Sequence, residues 1–148
     1  MSVSVQRQDF DVAAETRVLT KGNGDIGAVV SFTGLVRGDP DTVRAMELEH
    51  YPGMTERALA KIVEEARARW PLDGVRVIHR VGRLMPGENI VLVLAASRHR
   101  RAAFEAAEFL MDYLKTKAPF WKREETPEGA QWVDARETDD DAMRRWTK

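Results

Sequence analysis

The chain has 148 residues, with 23 Lys and Arg against 24 Asp and Glu, for a formal charge of −1. At 43% hydrophobic and 32% charged, it holds enough apolar side chains for one ordinary domain burying roughly 70% of its unfolded surface, which excludes wholesale disorder. The balanced charge excludes nucleic-acid or acidic-membrane binding over the whole surface, and the absence of cysteine excludes disulfides, thiolate metal sites and a protein-borne nucleophilic sulfur.

Arg7, Asp9 and Asp11 interrupt the first residues, so no secretory signal is expected there. The longest apolar run, Ile90 to Ala96, falls far short of the ~20 residues of a membrane span. A cytoplasmic protein is expected, organised as one domain over residues 1–148 with a charged C-terminal tail at about 137–148.

Val3 to Arg7 alternates Val with polar residues and predicts a short edge strand, followed by a brief helix over Val12 to Leu19 capped by Asp9 or Asp11. Lys21 to Asp25 predicts a turn. Gly27 to Val36, β-branched and apolar, predicts a buried strand broken by Gly38-Asp39-Pro40-Asp41. Val43 to Tyr51 predicts a strand that pairs back, ended by Pro52-Gly53. From Met54 to Trp70, the spacing of Leu59, Ile62, Val63, Ala66 and Trp70 predicts an amphipathic helix stopped by Pro71. Val75 to Val81 and Asn89 to Ala96 predict two strands joined by a loop holding Met85 to Glu88. Arg98 to Lys117 predicts a second main helix, with Ala103, Ala107, Leu110 and Leu114 on one face and Phe104 and Met111 beside it. Phe120 to Glu124 and Ala130 to Val133 predict two short strands. The interleaving implies an α+β domain rather than a doubly wound dinucleotide fold.

Three chemistries are set aside on the residues. The three histidines, His50, His79 and His99, lie too far apart in sequence for a metal site, with no His/Glu pair at ligand spacing. Gly22-Asn23-Gly24 lacks the third glycine and the preceding strand of a phosphate-binding loop. Ser31, Thr33 and Ser97 have no nucleophile signature around them.

Ser97-Arg98-His99-Arg100-Arg101 at a helix start is informative. Free N–H groups there favour acids, and each cation costs ~0.3–1 kcal/mol. Three arginines and a histidine at that place fit an anion such as phosphate or carboxylate, or else form a solvated basic surface. Lys115, Lys117, Lys122 and Arg123 form a second cluster around Pro119-Phe120-Trp121. Lys115 and Lys117 complement the helix dipole. Lys115 after Tyr113-Leu114 and Lys122 after Phe120-Trp121 are also candidates for partial desolvation, which would make a neutral amine available near pH 7. Arg37 stands at a strand end, where binding groups project. His50 is given no role.

Phe32-Thr33-Gly34 with Val36-Arg37, Leu48 to Met54, His99-Arg100, Met111 to Thr116 and Ala118 to Glu124 together closely resemble the large, catalytic subunit family of molybdopterin synthase, the MoaE family. The likeness runs from about Gly27 to Arg136. The resemblance implies an α/β hammerhead-type domain with mixed and antiparallel sheets and two main helices. It implies a sulfurtransferase of molybdenum cofactor biosynthesis, which converts cyclic pyranopterin monophosphate to the dithiolene of molybdopterin. The sulfur donor it implies is a small ubiquitin-like, MoaD-like carrier whose C-terminal Gly-Gly ends in a thiocarboxylate. A homodimer with one carrier at each end, a heterotetramer, is implied too, with no metal and no organic cofactor. The lack of cysteine is consistent with sulfur arriving on the partner.

Carried over residue by residue, the likeness makes Lys115 and Lys122 the catalytic lysines, with Lys115 as the essential one. It makes His99 and Arg100 an anion-binding pair, and Arg37 a ligand of the pterin phosphate. Arg123 and Glu124 line the same segment, and Arg136 is offered across the dimer interface. Leu35 stands where the family often has lysine, which lowers the local positive charge, and Lys117 stands where relatives often have Arg. A non-catalytic module that docks a phosphate or a protein tail, and a purely structural subunit, are the competing readings.

Overall fold

The computed structural model describes residues 2–39, 41–133, 144 and 146. Arg136 and nearly all of the charged tail lie outside the described residues. The elements in chain order are β1 (Val3–Gln6), α1 (Val12–Thr20), β2 (Ala28–Leu35), β3 (Ala45–His50), α2 (Met54–Arg69), β4 (Gly74–Arg80), β5 (Gly82–Leu84), β6 (Asn89–Ser97), α3 (Arg100–Thr116), β7 (Phe120–Thr126) and β8 (Gly129–Val133).

Two four-stranded sheets carry the architecture, one in the order β1-β4-β6-β2 and one in the order β5-β3-β7-β8. In the first, β1 runs parallel to β4 and the other pairs are antiparallel. The second is antiparallel throughout. The fold is therefore α+β, with one mixed and one antiparallel sheet.

The uninterrupted apolar run of β6 follows from its position. Val91, Val93 and Ala95 face α2 and α3, where Leu59, Ile62, Val63, Phe109 and Leu110 meet them. Leu92 and Leu94 face the opposite side with Ile78, under Phe10, Val12 and Leu19 around α1. A strand covered on both faces has no solvent side and so no polar alternation. A third cluster, Val36, Met46, Leu48, Val81 and Leu84, joins the two sheets.

Local chemistry sets the helix starts. The Asp11 carboxylate accepts from the Ala14 N–H at 3.0 Å and caps α1. Gly53, at φ +84°, precedes α2, and its N–H donates to the Glu56 carboxylate at 3.0 Å. Trp146 of the tail packs edge-on against Trp70 and Phe109, and its indole N–H donates to Asp112.

Four sequence expectations are corrected. The strand expected to be buried over Gly27 to Val36 is an edge strand, paired among the described residues only with β6, and Phe32 and Leu35 are 40% and 52% exposed. The strand over Val43 to Tyr51 does not pair back on it but joins the second sheet between β5 and β7. Between Val81 and Met85 lies a further strand, β5, entered through Gly82 at φ +96°. That positive φ is one L side chains rarely adopt, so the chain passes to the second sheet through a glycine, with the flexible end of Arg7 lying beside it. Phe104, expected beside the buried face of α3, points outward and is 59% exposed.

Candidate active site

Strand alternation sorts the residues of β7. Opposite residues of an antiparallel pair share a face, and β7 is registered with Leu48 beside Lys122, His50 beside Phe120 and Met46 beside Glu124. Phe120, Lys122 and Glu124 therefore share the inner face with Met46 and Leu48, which are buried. Trp121, Arg123 and Glu125 take the outer face. There Arg123 pairs with Glu47 at 3.2 Å, and its guanidinium lies 5.8 Å from the ring centre of Trp132. Arg123 and Glu124 thus point to opposite sides of the sheet.

Behind the inner face stands His79 of β4, 7% exposed. Its ring lies flat on Phe120, with centroids 3.8 Å apart and planes inclined by 18°. Its Nδ1 is 2.8 Å from the Arg80 carbonyl oxygen. Burial pushes the imidazole pKa down to about 4, opposed by the Arg80 carbonyl and reinforced by the nearby Lys115, His50 and Lys122. Basic groups from α3, β3 and β7 thus gather around one neutral ring. The sequence singled out Lys115 and Lys122 but gave His79 only a place in the rejected metal test. Its one signal is a histidine two and four positions after Val77 and Val75, at the alternation of their face.

The two lysines differ in burial. Lys122 is half-buried within the sheet, which fits the expected partial desolvation. Lys115, in the last turn of α3, is exposed, so burial within this chain does not desolvate it as expected. The connection between them is held tightly. The Lys117 and Ala118 N–H groups both donate to the Tyr113 carbonyl, closing the helix. Thr55, fully buried, donates its hydroxyl to the Pro119 carbonyl at 3.1 Å and accepts the Tyr51 N–H at 3.0 Å. The first turn of α2 thereby pins the α3–β7 connection to the end of β3.

Arg37 is exposed and directly follows Val36, which packs in the cluster that includes Leu48 and Phe120. It belongs to the same end of the fold as the lysines. His99 and Arg100 do not. His99 is the residue before α3 and Arg100 its first, both exposed, and Arg100 stands about 22 Å from Lys115 at 1.5 Å per helical residue. Arg98 pairs with Asp25 at 3.5 Å and Arg101 with Glu105 at 2.7 Å, while His99 and Arg100 form no salt bridge among the described residues. The first turn of α3 holds no acidic residue. The basic helix start and the lysine cluster are therefore two clusters at opposite ends of α3, and Arg136 falls outside the described residues.

A family model described as MoaE protein matches residues 5–117. The chain is 60% identical over 147 residues to the molybdopterin synthase catalytic subunit of Mesorhizobium japonicum, covering 98% of this chain and 92% of that one. Among solved structures, the molybdopterin biosynthesis MoaE protein from Burkholderia ambifaria superposes with a TM-score of 0.83 at 54% identity, over 99% of this chain and 98% of that chain. The fold alone is shared with a chain in a protein–protein complex of subunits 1 and 2 of the molybdopterin-converting factor from Helicobacter pylori. That match has a TM-score of 0.74 at 19% identity, over 93% and 92% of the two chains.

Proposed function

The chain belongs to the MoaE protein family, and from that premise we propose that it transfers sulfur to cyclic pyranopterin monophosphate from the C-terminal thiocarboxylate of a small ubiquitin-like carrier. The product is the dithiolene of molybdopterin, and the reaction belongs to cytoplasmic molybdenum cofactor biosynthesis. The observation that carries this reading is that Lys122 lies on the face of β7 whose Phe120 stacks on the buried ring of His79, and that Lys115, at the end of α3, is close enough for its charge to act on the same ring.

The chemistry asks for what that arrangement offers. The carrier's thiocarboxylate sulfur attacks an oxygen-bearing carbon of the pterin side chain, and as the C–S bond forms the C–O bond breaks, its oxygen leaving with a proton. A thioester now joins carrier and pterin, and two such transfers supply the two sulfurs of the dithiolene. Water then adds to the thioester carbonyl, and the carbonyl oxygen gathers negative charge before the carrier departs as a carboxylate. A lysine N–H aimed at that oxygen stabilises it, and such a donor is worth about 10²–10³ in rate. Lys115 takes this part. It is exposed in the chain alone, and the incoming tail of the carrier covers it. Lys122, half-buried, orients the tail or substrate, with Glu124 on the same face. Arg37 holds the pterin phosphate. Arg123, paired with Glu47, braces the outer face of the sheet.

His99 and Arg100 join this site only from a second copy of the chain. The edge strand β2 runs from Ala28, beside Ser97 at the basic helix start, to Leu35, two residues before Arg37. Two such edges paired antiparallel place the beginning of one strand against the end of the other. The exposed Phe32 and Phe104 on this side supply apolar surface for such a contact. The partner's His99 and Arg100 then approach Arg37, and Arg136 is a candidate to act across the same interface. Single-turnover formation of the dithiolene from thiocarboxylated carrier, by the chain and by its Lys115→Ala variant, tests the whole reading.

A further inference from the structure

His79 has no task in the transfer set out above, yet it is buried against Phe120, on the face of β7 that carries Lys122. Alternation along β4 puts it on the same face as Val75 and Val77, toward α2 and α3, where an apolar side chain would pack at no desolvation cost. The ring's contacts say what the imidazole adds. A carbonyl oxygen only accepts, so the 2.8 Å contact with Arg80 places the ring proton on Nδ1 and leaves the lone pair on Nε2. One face of the ring supports Phe120, the first residue of β7, two positions before Lys122 on the same face of the strand.

The charged groups around it come from every side. Lys115 approaches from α3, His50 from β3 and Lys122 from β7. On its own strand, the Arg80 guanidinium is turned to the carbonyls of Arg7 and Asn89 and to the Glu88 carboxylate. A protonated imidazole here would add a further positive charge to a crowded basic cluster. Burial prevents this, holding the pKa at about 4.

We propose that His79 is a positioning residue of the sulfur-transfer site, whose neutral Nδ1–H ring sets the seat of Lys122 through Phe120 and presents the lysine amines with an acceptor edge in place of another cation. This inference rests on the sulfur-transfer reading, and its test separates the two. His79→Phe keeps a ring against Phe120 but has no acceptor. His79→Gln has a donor for the Arg80 carbonyl and an acceptor besides. In steady-state assays with thiocarboxylated carrier, His79→Phe is expected to lower kcat about tenfold or more while KM for cyclic pyranopterin monophosphate stays within about twofold. The alkaline limb of its pH–rate profile should move to lower pH, because the group favouring the protonated amines is gone. His79→Gln should recover part of both.

Independently of turnover, ¹⁵N NMR of the imidazoles in the parent chain at pH 7 should show His79 as the neutral Nδ1–H tautomer. A charged ring or an Nε2–H tautomer overturns the proposal, and so does a His79→Phe variant with the parent's kcat and pH profile. If the NMR result holds but the parent chain makes no dithiolene, the sulfur-transfer reading fails and the role of His79 in it falls too.

Discussion

The ring centres of His79 and Phe120 lie 3.8 Å apart with their planes nearly parallel, and this stack ties the first sheet to the second two residues before Lys122. His79 belongs to β4 and Phe120 opens β7, so the contact links the large hydrophobic core to the strand that carries Lys122. An amphipathic ring serves well here. Its face is apolar enough for the core, and its edge can bond to a backbone carbonyl.

The stack has a cost at acid pH. In the unfolded chain the imidazole titrates near 6.5, whereas the folded protein holds it down to about 4. Below 6.5 the unfolded state binds the proton first, so this contribution to stability is complete above pH 6.5 and is lost as pH falls toward 4. The loss amounts to roughly 3 kcal/mol. Urea unfolding of the chain and of His79→Phe at pH 7 and pH 4 should show the parent losing about that much more than the variant. Parallel losses would contradict the assignment of the buried titration to His79.

Thr55 ties α2 to both ends of the site, and its hydroxyl has two partners in the Pro119 carbonyl and the Tyr51 N–H. Thr55→Val keeps the shape and strands both groups. A destabilisation of about 1–3 kcal/mol is expected, with a fall in kcat as the spacing of Lys115 and Lys122 loosens. Thr55→Ser should restore most of both, as measured by thermal unfolding and single-turnover assay. Equal behaviour of Val and Ser variants would show that the hydroxyl has no such part.

Arg123 is adjacent to Lys122 in sequence but faces the other way, held by Glu47 and lying over Trp132. Arg123→Ala should therefore keep turnover within about threefold of the parent, while the lost ion pair and cation–π contact remove about 1 kcal/mol of stability. Lys122→Ala should do the reverse. A large loss of turnover in Arg123→Ala, with unchanged stability, would place its side chain in the site after all.

The distance between Arg100 and Lys115 on α3 gives the shared site a direct test. Arg100→Ala and Lys115→Ala each damage the site as homodimers. In a mixed dimer of the two variants, a shared site gives one centre with both residues intact and one with neither. The mixed dimer should therefore have about half of the parent's activity, and an equal mixture after full exchange, in which about half of the dimers are mixed, about a quarter. No recovery on mixing, with mixed dimers verified by mass, would mean that the two clusters do not cooperate across an interface.

Much of the fold is legible in the sequence where the signal is local. The spacing of Leu59, Ile62, Val63 and Ala66 marks α2, and the unbroken apolar run from Ile90 to Ala96 marks a strand covered on both sides. The strand β5, three residues long, is too short to show a period. The apolar, β-branched β2 reads as central although it is an edge, because pairing is settled by tertiary contacts. The partner strands of β3 are distant in sequence, and no local pattern names them. The same limit governs the site. The lysines and the basic helix start stand out by composition and by family likeness, but the meeting of Lys115, Lys122 and His50 around His79 joins four elements and exists only in the folded chain.

Single-turnover formation of dithiolene pterin from cyclic pyranopterin monophosphate and thiocarboxylated carrier, with carrier binding measured alongside, tests the central role of Lys115 most directly. Because Lys115 is exposed, Lys115→Ala should fold and bind the carrier as the parent does, while its rate falls about 10²-fold or more. A Lys115→Ala variant that binds the carrier and turns over at the parent's rate would contradict that role. The lysine cluster would then be a docking site for the tail rather than the seat of the chemistry.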